Sequence, residues 1–358
     1  MHERRRGRGA GGAGGQLHLV ALAAVALVLG CAPGGPGPAA APLAAAGGAA
    51  AAPASLGTLR FVVSDLVSNT YSPVYIAERE GYYRELGLDV DVQSANPPTA
   101  TQALLANQFD VAHAASPGIA AALKGAPLQL VFVVAEPAMY LIVGRKELNA
   151  WTDLKGKTIA VSSTTGTQLL DVSRVLALHG VNAQTDAINY VVPGGSGDEH
   201  KLAALRAGSV DAGVFAGVGA VSALEDGYRL IGDMREVRTF DQTFWTMRPT
   251  LTSKRDQLRA FVLGTLKGQQ VYRHDRARAV DHVAAQIGGN RQWAEQLVGL
   301  SAPAFSDDGI PSDAGLREAM QYKLEAGGES SSVTAEQIVA WDLLRQTNDD
   351  LARSGWTP

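Results

Sequence analysis

Hydroxyl side chains crowd into one short segment of the chain. Ser162-Ser163-Thr164-Thr165-Gly166-Thr167-Gln168 offers five hydroxyls and a carboxamide just before an apolar-periodic stretch. Side chains of this kind bind by hydrogen bonding. At a helix start, unpaired backbone N–H groups and the positive end of the helix dipole add a preference for a polar or anionic group. The same residue types also cap helices with no ligand involved; the position of this run at an expected cleft edge favours binding. Gly194-Gly195-Ser196-Gly197 is a second glycine-rich turn, and it fits neither the phosphate-binding loop nor the dinucleotide fingerprint. Catalytic chemistry lacks its parts. There is no Gly-x-Ser-x-Gly elbow, no His-Glu-x-x-His and only one cysteine, and His113, His179, His200, His274 and His282 share no metal-ligand spacing. The expectation is a binding protein, not an enzyme, with no cofactor and no metal.

The elements that must position these residues alternate between strand and helix patterns, which argues for parallel sheets with crossover helices. Strands are expected at Leu59–Val63, Leu88–Gln93 and Phe109–Ala114. Ser72-Pro73 reads as the N-cap and first residue of a helix, and another helix starts at Ser116-Pro117. About a hundred residues later the order recurs, with strands at Thr158–Ser162, Ile188–Val192 and Val210–Phe215 and helices at Thr167–Leu178, Asp198–Ala207 and 218–225. A slide of 101 residues matches Asp110 to Asp211 and Gly118 to Gly219. Two lobes built alike is the reading. From Ser253 the periodicity is helical, at about 255–273, 276–287, 291–299, 312–326 and 334–353, with Trp293, Leu297, Trp341, Leu343 and Leu344 as packing residues.

In open parallel sheets the crevice lies beyond the carboxyl ends of the strands. Ligand contacts are therefore expected from Ser64, Asn69, Tyr71, Tyr75 and Ser116 in the first lobe. The second lobe supplies Ser162, Thr164, Thr165, Gly166, Thr167, Gln168, Gly195 and Ala216, and the return segment Phe244. Tyr140 and Trp245 are further candidates for flat apolar walls. Removing the Ser162 or Thr167 hydroxyl is expected to weaken ligand binding and leave folding intact.

The chain has 358 residues, 46% hydrophobic and 18% charged, too long for one ordinary core and suited to two lobes. Its 31 basic and 35 acidic residues give −4, no footprint for nucleic acid. At the N-terminus, Arg4, Arg5, Arg6 and Arg8 precede the apolar run Leu19–Leu29, which fits a secretory signal and is too short to span a bilayer. Val28-Leu29-Gly30-Cys31 resembles the bacterial lipobox, in which the Cys is acylated. Residues 32–54 are Ala, Gly and Pro apart from Leu43, the composition of a tether. The expected layout is signal peptide 1–30, lipidated Cys31 and tether 31–56, lobe one 57–143, lobe two 144–240 and a return to lobe one over 241–358.

Three segments carry a family resemblance. Ser72-Pro73-Val74-Tyr75-Ile76-Ala77-Glu78-Arg79-Glu80-Gly81-Tyr82-Tyr83-Arg84-Glu85-Leu86-Gly87-Leu88-Asp89-Val90 is similar to a segment of solute-binding proteins for nitrate, sulfonates, taurine and thiamine precursors. Tyr83 stands where that family usually has Phe. Asp153–Val161 resembles the stretch opening their second lobe, and Ala204–Ala212 resembles their A-L-x-x-G-x-V-D-A motif. The resemblance implies an α/β fold of two doubly wound lobes joined by a two-segment hinge, like a type II periplasmic-binding protein. It implies ligand capture by hinge closure, delivery to the permease subunits of an ABC importer, and a monomer held outside the cell membrane by lipid on Cys31. No Arg stands in the expected cleft loops, which disfavours a simple sulfonate or nitrate ligand. A pyrimidine or thiamine-precursor-like compound, another small heteroaromatic, or a carboxylate fits the hydroxyl-rich cleft. A ligand-binding sensor lipoprotein and a sulfonate, taurine or nitrate receptor are the alternatives.

Overall fold

The computed structural model of the chain describes residues 54–63, 68–95, 97–164, 167–195, 197–328 and 330–358. The expected signal peptide, Cys31 and most of the tether lie outside the described residues, as do Ser64, Thr165 and Gly166.

Among the described residues, ten strands form two five-stranded sheets. The first contains β1 (Gly57–Val63), β2 (Leu88–Ser94), β3 (Val111–His113), β4 (Leu128–Pro137) and β10 (Arg238–Met247), in the order β2-β1-β3-β10-β4. The second contains β5 (Tyr140–Gly144), β6 (Thr158–Ala160), β7 (Asn189–Val191), β8 (Ala212–Ala216) and β9 (Arg229–Asp233), in the order β7-β6-β8-β5-β9. The sheets are mixed, which corrects the all-parallel expectation. β10 runs antiparallel to β3 and β4, and β5 antiparallel to β8 and β9. Each antiparallel strand is the one that arrives directly from the other lobe.

This topology also corrects the expected lobe boundaries. Tyr140–Val143, placed at the end of lobe one, pairs wholly within the second sheet, so the chain crosses at Ala138-Met139. Arg238 already pairs with Pro137 in the first sheet, so the return begins by residue 238. The two crossings run side by side: Ala138 N–H donates to Val237 O at 2.8 Å, and Met234 N–H to Tyr140 O at 3.0 Å. Two antiparallel strands broken by such short links are what a two-segment hinge requires.

Side-chain alternation along the strands sorts the cores. In lobe two, Ile142, Ile159 and Val214 join Val172, Val175 and Leu176 of the Thr167–Leu178 helix on one face. Their neighbours Val143, Ala160 and Phe215 join Leu202, Leu205 and Ala220 on the other. Among the described residues of lobe one, the core centres on Phe61, Tyr71, Phe132, Phe244 and Phe261. The Arg255–His274 helix closes that core against the Ser72–Arg79 helix, and the approach needs glycine. A Cβ at Gly268 would lie 2.0 Å from Pro73 O, and one at Gly264 2.4 Å from the Tyr83 ring.

The repeat is visible bond for bond. Asp110 Oδ2 accepts the Arg60 N–H of β1 at 3.0 Å while Asp110 N–H donates to Arg60 O at 2.9 Å. Asp211 Oδ2 accepts the Thr158 N–H of β6 at 2.9 Å while Asp211 N–H donates to Thr158 O at 2.8 Å. Each carboxylate also holds cations, Arg60 and Lys254 in the first lobe and Arg145 in the second.

Two local expectations change. Ser72 is the first helical residue rather than the N-cap, and its buried hydroxyl donates to Gln286 Oε1 at 2.9 Å. The helix expected over 334–353 is two, Ala335–Ile338 and Trp341–Ser354, because Val339 bridges Leu130 at the edge of β4 and Ala340 N–H donates to Leu130 O at 2.9 Å. Among the described residues no helix is long and apolar enough to cross a membrane.

Candidate functional site

The carboxyl-end edges of the two sheets meet at Asn69 and Gly217. Asn69 opens a short 3-10 turn after β1, and Gly217 follows β8 with φ +38°, so that a Cβ there would sit 3.1 Å from Asn69 Oδ1. Ser68 anchors the lobe-one side: its carbonyl accepts from Gln286 Nε2 at 2.9 Å. Behind Asn69 lies Tyr272, whose hydroxyl hydrogen-bonds Ser301 Oγ at 2.7 Å and whose burial pushes its pKa up to about 12.

On the lobe-two side, Gln168 Oε1 accepts the Ser162 N–H at 2.7 Å, which closes the loop before the Thr167–Leu178 helix. Ser162 Oγ accepts from Lys201 Nζ at 3.0 Å. Lys201 is 1% exposed and donates its remaining protons to Asp198 Oδ1 at 2.7 Å and Val214 O at 2.6 Å. An ammonium has three protons to donate, so this one is fully used. Asp198 Oδ2 in turn accepts the Ala216 N–H at 2.9 Å, at the start of the Gly217–Glu225 helix. Burial pushes the Asp198 carboxyl up; the Lys201 ammonium and the Ala216 amide oppose this without cancelling it.

The expected site residues thus separate into groups. Asn69, Ser162, Gln168 and Ala216 stand on the facing edges. Thr164 is exposed in the same loop, Thr167 opens its helix, and Ser116 falls in the first turn of the Ala115–Leu123 helix. Tyr71 and Phe244 are core residues instead: Phe244 has no exposed surface, and Tyr71 packs on it at 6.4 Å while its hydroxyl hydrogen-bonds His113 Nδ1 at 2.6 Å. Trp245 is buried likewise, its Nε1 donating to Thr243 Oγ1 at 2.9 Å. Tyr75 is half-buried against the same core. Gly195 makes room for the His200 imidazole, 2.4 Å from where its Cβ would be. Tyr140 is the aromatic registered opposite Ala216, which places it at the edge.

Both rims of the cleft are bridged. Arg174, one helical turn and more beyond Gln168, meets Glu318 at 2.5 Å and stacks its guanidinium 4.5 Å from the Tyr322 ring centre. On the other rim Trp293 Nε1 donates to Glu225. Two of the cavities among the described residues are lined by none of the expected site residues. One of about 420 Å³ is lined by residues such as Arg145, Lys155 and Asp211, and one of about 580 Å³ by Leu224, Arg276 and Glu295 among others. Among the described residues no group of three or more His, Cys, Asp or Glu could hold a metal ion.

The NMT1/THI5-like family model matches residues 68–279, a span that includes both facing edges and both crossings. The chain belongs to the NMT1/THI5-like family. No curated protein matches it. Among solved structures, the periplasmic aliphatic sulphonate binding protein SsuA from Escherichia coli superposes with a TM-score of 0.64 at 18% identity, over 81% of this chain and 99% of that one. The alkanesulfonate-binding protein SsuA from Xanthomonas axonopodis pv. citri, bound to MOPS, gives 0.60 at 21%, over 81% and 99%. A mutant of the desulfurization enzyme DSZB, in complex with biphenyl-2-sulfinic acid, gives 0.64 at 16%, over 82% and 99%. At these identities the likeness is one of fold. This NMT1/THI5-like chain has the periplasmic-binding fold, on which both binding proteins and an enzyme are built.

Proposed function

We propose that the chain is an extracytoplasmic receptor that captures a small organic ligand between its two lobes and delivers it to an ABC importer. The observation that carries this reading is the pair of facing sheet edges at Asn69 and Gly217, with two adjacent crossings beneath them and bridged rims above. Such a build buries a ligand by rotation about the crossings. Among the described residues it offers hydroxyl, carboxamide and backbone groups. The family and the SsuA neighbours support a solute-binding role. Acylation of Cys31 anchors the receptor as a monomer to the outer side of the cell membrane, and the Ala/Gly/Pro tether gives it reach. The preferred ligand is a pyrimidine or thiamine-precursor-like compound, or another small heteroaromatic. The second reading, a sulfonate receptor, is favoured by what the two SsuA proteins bind.

Thermal unfolding against a panel of alkyl sulfonates, nitrate, aminopyrimidines, thiamine and aromatic carboxylates tests this, after the protein has been unfolded and refolded free of carried-over ligand. A compound at about a hundred times its Kd adds about 2.7 kcal/mol, or about 5–10 °C at about 2–4 °C per kcal/mol. A shift confined to one chemical class identifies the ligand class and supports the receptor. A panel that leaves the melting temperature unmoved counts against it.

A further inference from the structure

We propose that Asp198 is a built-in anion that closes the start of the Gly217–Glu225 helix to anionic ligand groups, so that this wall of the cleft selects an electroneutral or cationic, hydrogen-bond-donating group. The inference rests on the receptor reading above and narrows its ligand class.

The first amides of a helix, at the positive end of its dipole, are a ready site for an anion. Here the Ala216 N–H is already taken by Asp198 Oδ2 at 2.9 Å. The carboxylate lies flat on the first turn: a Cβ at Gly219 would be 2.4 Å from the same oxygen, so any side chain there would displace it. The neighbouring cation offers nothing to a ligand either. Lys201 is buried, and its three protons go to Asp198, Ser162 and Val214. The Ser162 amide is taken by Gln168. Beside these occupied groups the edge carries a carboxylate with 23% of its side chain exposed. A second anion placed there would meet a like charge and find these two amides occupied. An N–H donor or a cation on the ligand would find an acceptor.

The test uses the full chain at constant ionic strength, with formate, nitrate and methanesulfonate as probes and saturable thermal stabilisation as the readout. Wild type, Asp198→Ala and Asp198→Asn are compared. The expected result is that Asp198→Ala binds formate and nitrate at least tenfold more tightly than wild type, because the vacated amide and the Lys201 ammonium accept the external anion. Asp198→Asn keeps an oxygen for the Ala216 amide and removes the charge; it serves if the alanine variant does not fold, and is expected to gain anion affinity over wild type. Wild type that binds these anions as tightly as the variants overturns the proposal, while leaving the receptor reading to its own ligand panel. Anion rescue in the variants upholds it even if that panel fails.

Discussion

Replacing Lys201 by Met tests whether the buried pair carries the structure of the lobe-two wall. The methionine keeps most of the stem in contact with Phe215, whose ring centre lies 5.7 Å from Nζ, and removes all three ammonium hydrogen bonds. Breaking one side of a buried ion pair costs about 3–5 kcal/mol, because the other charge stays behind. Asp198 keeps 23% exposure and its bond to the Ala216 amide, so the loss belongs at the lower end, about 3 kcal/mol. At about 2 °C per kcal/mol for a long chain, the melting temperature should fall by about 6 °C at pH 7. The double variant Lys201→Met with Asp198→Asn leaves no lone charge and should lose less than Lys201→Met alone. The pH dependence has a fixed sign. Burial raises the Asp198 carboxyl already in the native protein, and without Lys201 it must rise further. A raised carboxyl leaves stability intact below its unfolded value, near 3.9, and costs stability as pH climbs through the folded value. The deficit of Lys201→Met should therefore be largest at neutral pH and shrink in acid. Calorimetric melts of the three variants from pH 4 to pH 8 measure it. A Lys201→Met protein within 1 °C of wild type at pH 7, or a double variant worse than the sum of the singles, would refute the reasoning.

Three further outcomes follow from the same contacts. Arg174→Ala removes a partly exposed rim bridge worth about 0.2–1 kcal/mol and a guanidinium–ring contact worth about 0.5–1 kcal/mol; ligand affinity should fall about three- to tenfold by titration calorimetry with little change in melting temperature. Burial works to raise the Asp110 carboxyl, but hydrogen bonds from Arg60 and Lys254 bring it below the usual range. Its contribution is present above about pH 3.9 and lost as pH falls through the folded value. Asp110→Asn should thus cost about 2 kcal/mol at pH 7, and urea melts should show the gap to wild type closing below about pH 4. Gly268→Ala drives a methyl into Pro73 O and should destabilise by about 1–3 kcal/mol; an unchanged urea midpoint would mean the two helices can part freely.

The sequence carried the lobe plan because the repeat rests on residues with fixed backbone duties. Asp110 and Asp211 each clasp the first strand of their lobe with a charged carboxylate. The crossings were harder to read. Leu128 to Gly144 is almost continuously apolar, so nothing in its pattern says that Tyr140–Gly144 has changed sheets. Buried aromatics look the same in sequence whether they line a cleft or a core, which is how Tyr71 and Phe244 came to be expected at the ligand. The Asp198–Lys201 pair does not stand out in the sequence, since an acid and a base three apart on a helix usually share a solvated face. A signal was there: Lys201 shares its helix face with Leu202 and Leu205, which are buried, so its ammonium had to be satisfied inside. It also revises one expectation, because the Ser162 hydroxyl is an acceptor for that ammonium, and Ser162→Ala should now cost stability as well as affinity.

The helices that begin at the facing edges also carry the rim bridges, and in the proposed receptor this would link ligand contact to closure. Gln168 and Arg174 lie on one helix, and Gly217 and Glu225 bound another. A helix transmits a displacement at its first turn to its last with little loss, so a ligand that seats the N-terminal ends also seats Arg174 against Glu318 and Glu225 against Trp293. The bridges alone cannot close the molecule. Two exposed contacts and one cation–ring contact supply at most about 3 kcal/mol together, whereas driving a two-state equilibrium from 1:99 to 99:1 takes about 5.5 kcal/mol. The remainder has to come from contacts that the ligand makes with both lobes in the closed form and with only one in the open form. In the proposed receptor the fully satisfied Asp198–Lys201 pair would serve that requirement, since an edge that yielded would give back the differential contacts on which closure depends.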